Sequence, residues 1–166
     1  MSWPGFFRND AEAWATYLVG ATGTVLCGVL ILEHAFELAP CPLCLMQRIW
    51  FGFAGLIALA GLLHNPRWGI YPLLSLLASL LGGGFAIRQL YLQSLPADQV
   101  PACGPDMAYM LENFPFLEIL AQMTSGTGDC AEVAGRFLGL SIPGWALLGF
   151  IALVIMAIAQ LRAASR

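Results

Sequence analysis

Cys41 and Cys44 stand three residues apart in Cys41-Pro42-Leu43-Cys44, at the mouth of an apolar run long enough to span a membrane. Cys103 lies 59 residues past Cys44, and Cys130 a further 27, both in a long polar stretch. A Cys-x-x-Cys pair at a helix start has the spacing for a small disulfide ring, and the helix dipole there favours a thiolate, the nucleophilic form of cysteine. The pattern points to thiol–disulfide chemistry at a membrane surface. Cys44, at the positive end of the helix, is the sulfur expected to be activated. Arg48 follows four residues on, over the same helical face. An arginine inside a spanning window costs ~2.5–3.5 kcal/mol at the bilayer centre and less near its edge. It therefore either snorkels to headgroups or serves a polar partner, and a thiolate or a reducible carbonyl would each gain from a fixed guanidinium.

Two other uses of these cysteines compete. Four thiolates make a tetrahedral zinc site, but such sites draw on two close pairs, and Cys103 and Cys130 are isolated. Two inert structural disulfides are the other alternative. The Gly/Pro-rich flanks of Cys103 and Cys130 suit exchange better than clamping.

The elements that must position these residues follow from composition. The chain has 166 residues, 59% of them hydrophobic and 10% charged, with mean hydropathy +0.77 and no lysine. Those values specify an integral membrane protein. Four windows reach the ~20 residues needed to cross a ~30 Å hydrocarbon core: Trp14 to Leu32, Leu45 to Leu63, Trp68 to Tyr91 and Pro143 to Leu161. The expected fold is an all-α, four-transmembrane-helix bundle forming one domain over residues 1–166. His64-Asn65-Pro66-Arg67 reads as a tight turn that makes the second and third helices an antiparallel hairpin. Loops are expected at about 33–44 and 92–142. The second carries Pro96, Pro101, Pro105, Pro115 and the Gly-rich Thr124 to Gly128, and reads as a mobile segment outside the bilayer. Within it, Met107, Met110, Leu111 and Phe114 recur at helical spacing, and Phe116, Leu117, Leu120 and Met123 resume the pattern beyond Pro115. A short, kinked amphipathic helix in the headgroup region and a flap packed on the bundle both fit this pattern.

Charge sets the orientation. Arg8, Arg67, Arg162 and Arg166 flank the spans on one side, while the long loop holds Arg136 with Asp98, Asp106, Glu112, Glu118, Asp129 and Glu132. The positive-inside rule places both termini and the 64–67 turn in the cytoplasm. Arg48 and Arg88, at the outer ends of their helices, narrow that bias. The cysteines restore it, since disulfides persist in the periplasm and rarely in the cytosol. The first span follows Arg8, Asp10 and Glu12, lacks a convincing small-residue cleavage site, and is read as retained.

Other residues read structurally. Cys27, in the middle of the first span, is expected to be a small buried apolar residue. Gly82-Gly83-Gly84 is expected to permit close helix packing. Arg88, Gln89 and Tyr91 end the third helix, where Arg88 and Tyr91 suit snorkelling and the aromatic belt. His34 and His64 have no ligand-spaced partner, and no metal site is expected. The chain has no Walker, dinucleotide-fingerprint or His-Glu-x-x-His motif. Its net charge of −3, with no basic patch, argues against nucleic-acid binding.

Taken together, Pro40-Cys41-Pro42-Leu43-Cys44 with Gln47-Arg48, Cys103 behind its Pro-rich stretch, and Gly128-Asp129-Cys130-Ala131-Glu132 leading through Phe137-Leu138-Gly139-Leu140 to Pro143 resemble the disulfide bond formation protein B (DsbB) family. The likeness covers essentially the whole chain. It departs at Gln47, where some relatives carry a carboxylate. The resemblance implies a protein-disulfide:quinone oxidoreductase of the bacterial inner membrane, part of the system that keeps the periplasm oxidising. It further implies that a reduced DsbA-type thioredoxin-like partner forms a mixed disulfide at Cys103, with Cys130 as the resolving residue. Electrons then pass to Cys41 and Cys44, and from Cys44 to ubiquinone or menaquinone near Arg48, a site that Arg88, Gln89 and Tyr91 are also placed to line. Transient pairing of Cys41 with Cys130 is implied in the same way. The rival reading is a non-enzymatic four-helix membrane scaffold with structural disulfides.

Overall fold

The long apolar runs become four long helices in the computed structural model, which describes residues 10–36, 40–105, 107–133 and 135–165. These are α1 (Asp10–Phe36), α2 (Pro42–His64), α3 (Ile70–Ser94) and, after two short helices and a small hairpin, α6 (Ile142–Ala164). Each is long and apolar enough to cross a membrane. At 1.5 Å rise per residue they span about 35–40 Å, more than the ~30 Å hydrocarbon core. Arg8, Asp106 and Arg166, used above for charge, lie outside the described residues, as do the side chains of Met107 and Leu111.

The helices run past the apolar windows. α1 continues through Glu33 to Phe36, where a loop was expected, because no glycine or proline interrupts residues 32–36. α2 takes in Pro42, whose missing N–H costs nothing at the first helical position. The 64–70 connection is a turn closed by Trp68 N–H donating to the Asn65 carbonyl at 3.0 Å.

The four long helices form a ring in which α1 packs on α2, α2 on α3, α3 on α6 and α6 on α1. Lipid tails give apolar side chains no reason to leave the outside, so close contact depends on small residues. Ala54, Ala58, Ala78, Ala86 and Ala157 are buried around Leu18, Phe51, Phe150 and Leu153. The Phe51 and Phe150 rings stack with centroids 3.9 Å apart. Of the Gly82-Gly83-Gly84 run, Gly82 gives the close packing expected, since a Cβ there would collide with the Phe150 ring, whereas Gly83 has ordinary contacts and Gly84 faces open space. Two buried side chains bond beyond their own helix: Ser75 Oγ donates to the Ala54 carbonyl (3.2 Å) and Gln160 Nε2 to that of Pro66 in the α2–α3 turn (3.4 Å). Leu30, Ile31, Leu56, Leu63, Leu80 and Ile155 face outward, where a bilayer covers them. Cys27 also faces outward. It is not the buried residue expected, because burial in a ring of four helices is confined to one stripe of α1, and Cys27 falls off it.

Between α3 and α6 lie α4 (Met107–Asn113), α5 (Phe116–Ser125), a 3-10 turn (Gly128–Cys130) and a hairpin of β1 (Arg136–Phe137) with β2 (Leu140–Ser141). α5 packs on α2, and the 3-10 turn packs on α2 and α3. Met110 and Ile119 are buried, whereas Phe116 and Leu117 are 74% and 77% exposed. The apolar stripe read from the sequence therefore splits: Met110 turns inward together with Ile119, which lies outside that stripe, while Phe116 and Leu117 stay exposed. Pro115 separates the two helices and resets the helical phase.

Candidate active site

α1, α2, α3 and α6 alternate in direction, so the C-terminal ends of α1 and α3 and the N-terminal ends of α2 and α6 share one end of the bundle. Cys41 caps α2 there in extended conformation (φ −70°, ψ 160°). The first-turn amides behind it have no intrahelical partner. Cys44, in that first turn, points toward α3, and its Sγ lies 2.7 Å from that of Cys41. Across the interface Gln89 of α3 donates from Nε2 to both sulfurs, at 3.3 Å each. Its Oε1 accepts from Gln47 Nε2 at 2.7 Å. Both glutamines are buried.

Cys130 joins this cluster through the 3-10 turn. It is fully buried and packs with Leu43 and Leu92, with Cys41 beside them. Gly126 makes the approach possible: its φ of +80° belongs to glycine, and a Cβ there would strike Leu43 and Leu92. The Cys41 thiol donates to Cys130, and the Leu43 and Thr127 amides also donate to it. Together these bonds lower the Cys130 thiol to about 6 against the cost of burial. Cys41 is correspondingly raised, because it donates to Cys130 and to Cys44 and is itself largely buried. The free amide of the α2 N-terminus that the sequence directed at Cys44 thus also serves Cys130, 87 residues from Leu43 in sequence.

Cys103 stands outside the sulfur cluster but beside the Cys130 turn. Gly128 N–H donates to the Ala102 carbonyl (3.0 Å) and Gly104 N–H to Asp129 Oδ2 (3.3 Å). A side chain at Gly128 would collide with the Pro101 carbonyl and the Cys103 amide. Cys103 itself is exposed. The Asp129 carboxylate accepts from its thiol and adds like charge, which holds Cys103 above the ordinary thiol range. Asp129→Asn is therefore expected to speed alkylation of reduced Cys103 near neutral pH, because it removes the acceptor and the like charge that oppose the thiolate. The check is a pH–rate profile for a small iodoacetamide reagent, and an unchanged profile would remove Asp129 from this role.

Arg48 does not bond to either sulfur. Its Nη1 pairs with Glu33 Oε2 of α1 at 2.5 Å, both side chains about one-fifth exposed. Glu33 Oε1 is buried with no hydrogen-bond partner among the described residues. Arg88 donates to the Ser125 carbonyl at the end of α5 and lies 5.5 Å from the Tyr91 ring centroid, so it ties the loop segment down.

The donor on the sulfurs is thus Gln89, which the sequence singled out only as one of three residues near the end of the third helix. Nothing in its local sequence marks it, since its spacing to Cys44 is set by how α2 and α3 pack. Glu33 escaped notice because it was read as loop. A buried-face glutamine in an apolar helix, costly to bury without a partner, is the one signal that points to Gln89.

The family model described as "Disulfide bond formation protein DsbB" matches residues 10–160. Similar curated proteins are each named disulfide bond formation protein B. That of Hahella chejuensis is 58% identical over 123 residues, covering 72% of this chain and 74% of the relative. That of Marinobacter nauticus is 50% identical over 147 residues, with 84% and 88% covered. That of Nitrosococcus oceani is 43% identical over 156 residues, with 89% and 90% covered.

Proposed function

The chain belongs to the disulfide bond formation protein B family, and from that premise we propose that it reoxidises a periplasmic DsbA-type dithiol protein and delivers the electrons to a membrane quinone. The observation that carries the proposal is the meeting of Cys130 with Cys41 and Cys44 at one end of the bundle, while Cys103, on the adjoining loop segment, is exposed. One sulfur is open to a soluble partner. Three lie inside, where a lipid-soluble acceptor is reached.

The exchange steps balance. A partner thiolate attacks Cys103 of a Cys103–Cys130 disulfide, that bond breaks, and Cys130 leaves with the electron pair. The direction of attack follows from access, because Cys103 is exposed and Cys130 buried, with the Leu43 and Thr127 amides placed to receive charge on the leaving Cys130 sulfur. The partner's second thiol then displaces Cys103 and closes the partner's disulfide. Cys130 thiolate attacks Cys41 of a Cys41–Cys44 disulfide and releases Cys44. Cys103 attacks Cys130 and frees Cys41, which leaves Cys41 and Cys44 reduced.

A bound ubiquinone or menaquinone would supply the two-electron, two-proton acceptor needed for Cys41 and Cys44 to regain their disulfide. The residues near Cys44 fit such a group. Arg48, one helical turn along α2, has N–H donors beyond the one on Glu33 for a carbonyl oxygen. The orphaned Glu33 Oε1 is an acceptor for a hydroxyl. We place the protein in the bacterial inner membrane with both termini cytoplasmic and Cys41, Cys44, Cys103 and Cys130 on the periplasmic side. A membrane-impermeant thiol reagent that reached Cys103 only from the cytoplasmic face would reverse that orientation.

Purified full-length protein, given a reduced thioredoxin-like dithiol protein and ubiquinone or menaquinone, is expected to consume quinone and partner thiols in a ratio of one to two. A scaffold with structural disulfides would consume neither, and that result ends the proposal.

A further inference from the structure

Gln89 is 3% exposed, deep in the contact between α3 and α2. Its Nε2 carries two N–H groups and has two sulfurs in reach, Cys41 Sγ and Cys44 Sγ, both at 3.3 Å. Its Oε1 accepts from Gln47 Nε2 at 2.7 Å and lies 3.6 Å from Cys44 Sγ. The bond from Gln47 decides which way the amide faces. Turned over, Gln89 would set one NH2 against another and offer an oxygen to the sulfurs. Gln47 is itself 5% exposed, so water does not substitute for either amide.

A disulfide sulfur is a weak acceptor and a thiolate a strong one, since hydrogen bonds to an ionised group are roughly twice as strong as neutral ones. Donation from Gln89 therefore favours the opened pair over the closed one. When Cys44 is a thiol instead, the same amide offers Oε1 to its S–H, so both protonation states are served without a change of rotamer.

We propose that Gln89 is a catalytic residue that donates a hydrogen bond to whichever sulfur of Cys41 and Cys44 carries negative charge as their disulfide opens, and that Gln47 is the positioning residue that orients it. This rests on the exchange role proposed above for the pair. In that role the Gln89 amide favours electron transfer from Cys103 and Cys130 into the pair, because stabilising a reduced form makes its disulfide a stronger oxidant.

The test is the equilibrium of the Cys41–Cys44 pair with reduced and oxidised dithiothreitol, in full-length protein. It is read by acid quench, alkylation and mass spectrometry of the peptide that carries both cysteines. The reaction is pair disulfide plus reduced dithiothreitol giving pair dithiol plus oxidised dithiothreitol, with neither quinone nor partner protein present. Gln89→Leu is expected to shift the equilibrium about tenfold toward the disulfide, ~30 mV for a two-electron couple. Gln89→Asn keeps the amide on a shorter stem and should fall between wild type and Gln89→Leu. Asparagine also serves if leucine prevents folding, judged by thermal unfolding. Gln47→Leu should shift the equilibrium in the same direction by less, and the double variant should match Gln89→Leu, since Gln47 acts only through Gln89. The proposal is overturned if the folded Gln89 variants stay within about twofold of wild type, or if the two substitutions add independently. Absence of quinone turnover in wild-type protein would sink the quinone reading alone, because this equilibrium does not involve quinone.

Discussion

Replacing Cys130 with serine is expected to abolish quinone reduction by the dithiol partner, a loss of at least about a thousandfold, the scale on which removal of a covalent catalytic group acts. Serine cannot pass electrons from the exposed sulfur to the buried pair, and the Cys130 turn is the only described segment that carries a third sulfur to Cys41. A second outcome identifies the entry point. Given a partner whose second cysteine is replaced and whose first is held as a mixed disulfide with thionitrobenzoate, the free Cys103 thiolate attacks the partner sulfur and releases thionitrobenzoate, and neither chain then has a second thiol with which to undo the new bond. A partner adduct should appear on a non-reducing gel and vanish when Cys103 is also replaced. Cys41→Ser should instead leave partner exchange at Cys103 intact and stop electrons short of quinone. An adduct that persists without Cys103 would show that entry occurs elsewhere.

Arg48→Met is expected to lower quinone reduction ten- to a hundredfold with partner saturating, matching the loss of one charge-assisted hydrogen bond of ~1.5–3 kcal/mol. Arg48→Lys keeps the charge without the planar fork and should be milder. The ion pair complicates the first variant, because methionine leaves the Glu33 carboxylate, already with one orphaned oxygen, without its cation. Pairing Arg48→Met with Glu33→Gln separates the two effects. If the loss lies in the guanidinium's contact with quinone, the double variant stays slow. If it lies in the stranded carboxylate, the double variant recovers. Both variants should still form the Cys103 adduct. Wild-type dependence of rate on quinone concentration in Arg48→Met would reduce Arg48 to an interfacial residue paired with Glu33.

The asymmetry between Cys103 and Cys130 illustrates how tertiary contacts differentiate like residues. Both are cysteines in a Gly/Pro-rich segment, and the sequence supplies no reason for one to ionise more readily. In the folded chain the Cys41 thiol, with the Leu43 and Thr127 amides, brings Cys130 to about 6, while the Asp129 carboxylate raises Cys103. In reduced protein, Cys130 binds fewer protons folded than unfolded between about pH 6 and its ordinary thiol pKa. Its contribution to stability is therefore present above that range and lost as pH falls through about 6.

The membrane class, the four long helices and the family were legible from residue order alone. Apolar runs of about twenty residues can satisfy their backbone within lipid only as helices, and the cysteine-bearing motifs are local strings. Helix ends were less legible: Glu33 became helix because no breaker precedes Phe36, although its polarity suggested a loop. What the tertiary structure decided is which groups meet. Gln89 reaches both sulfurs from a separate helix, Glu33 takes the guanidinium that Cys44 was expected to share, and Gly126 and Gly128 bring the Cys130 turn onto the start of α2 beside the Cys103 loop segment. Each of those contacts depends on the rotation and depth of one helix or turn against another. Small-residue packing sets that rotation, and no string of neighbouring residues encodes it.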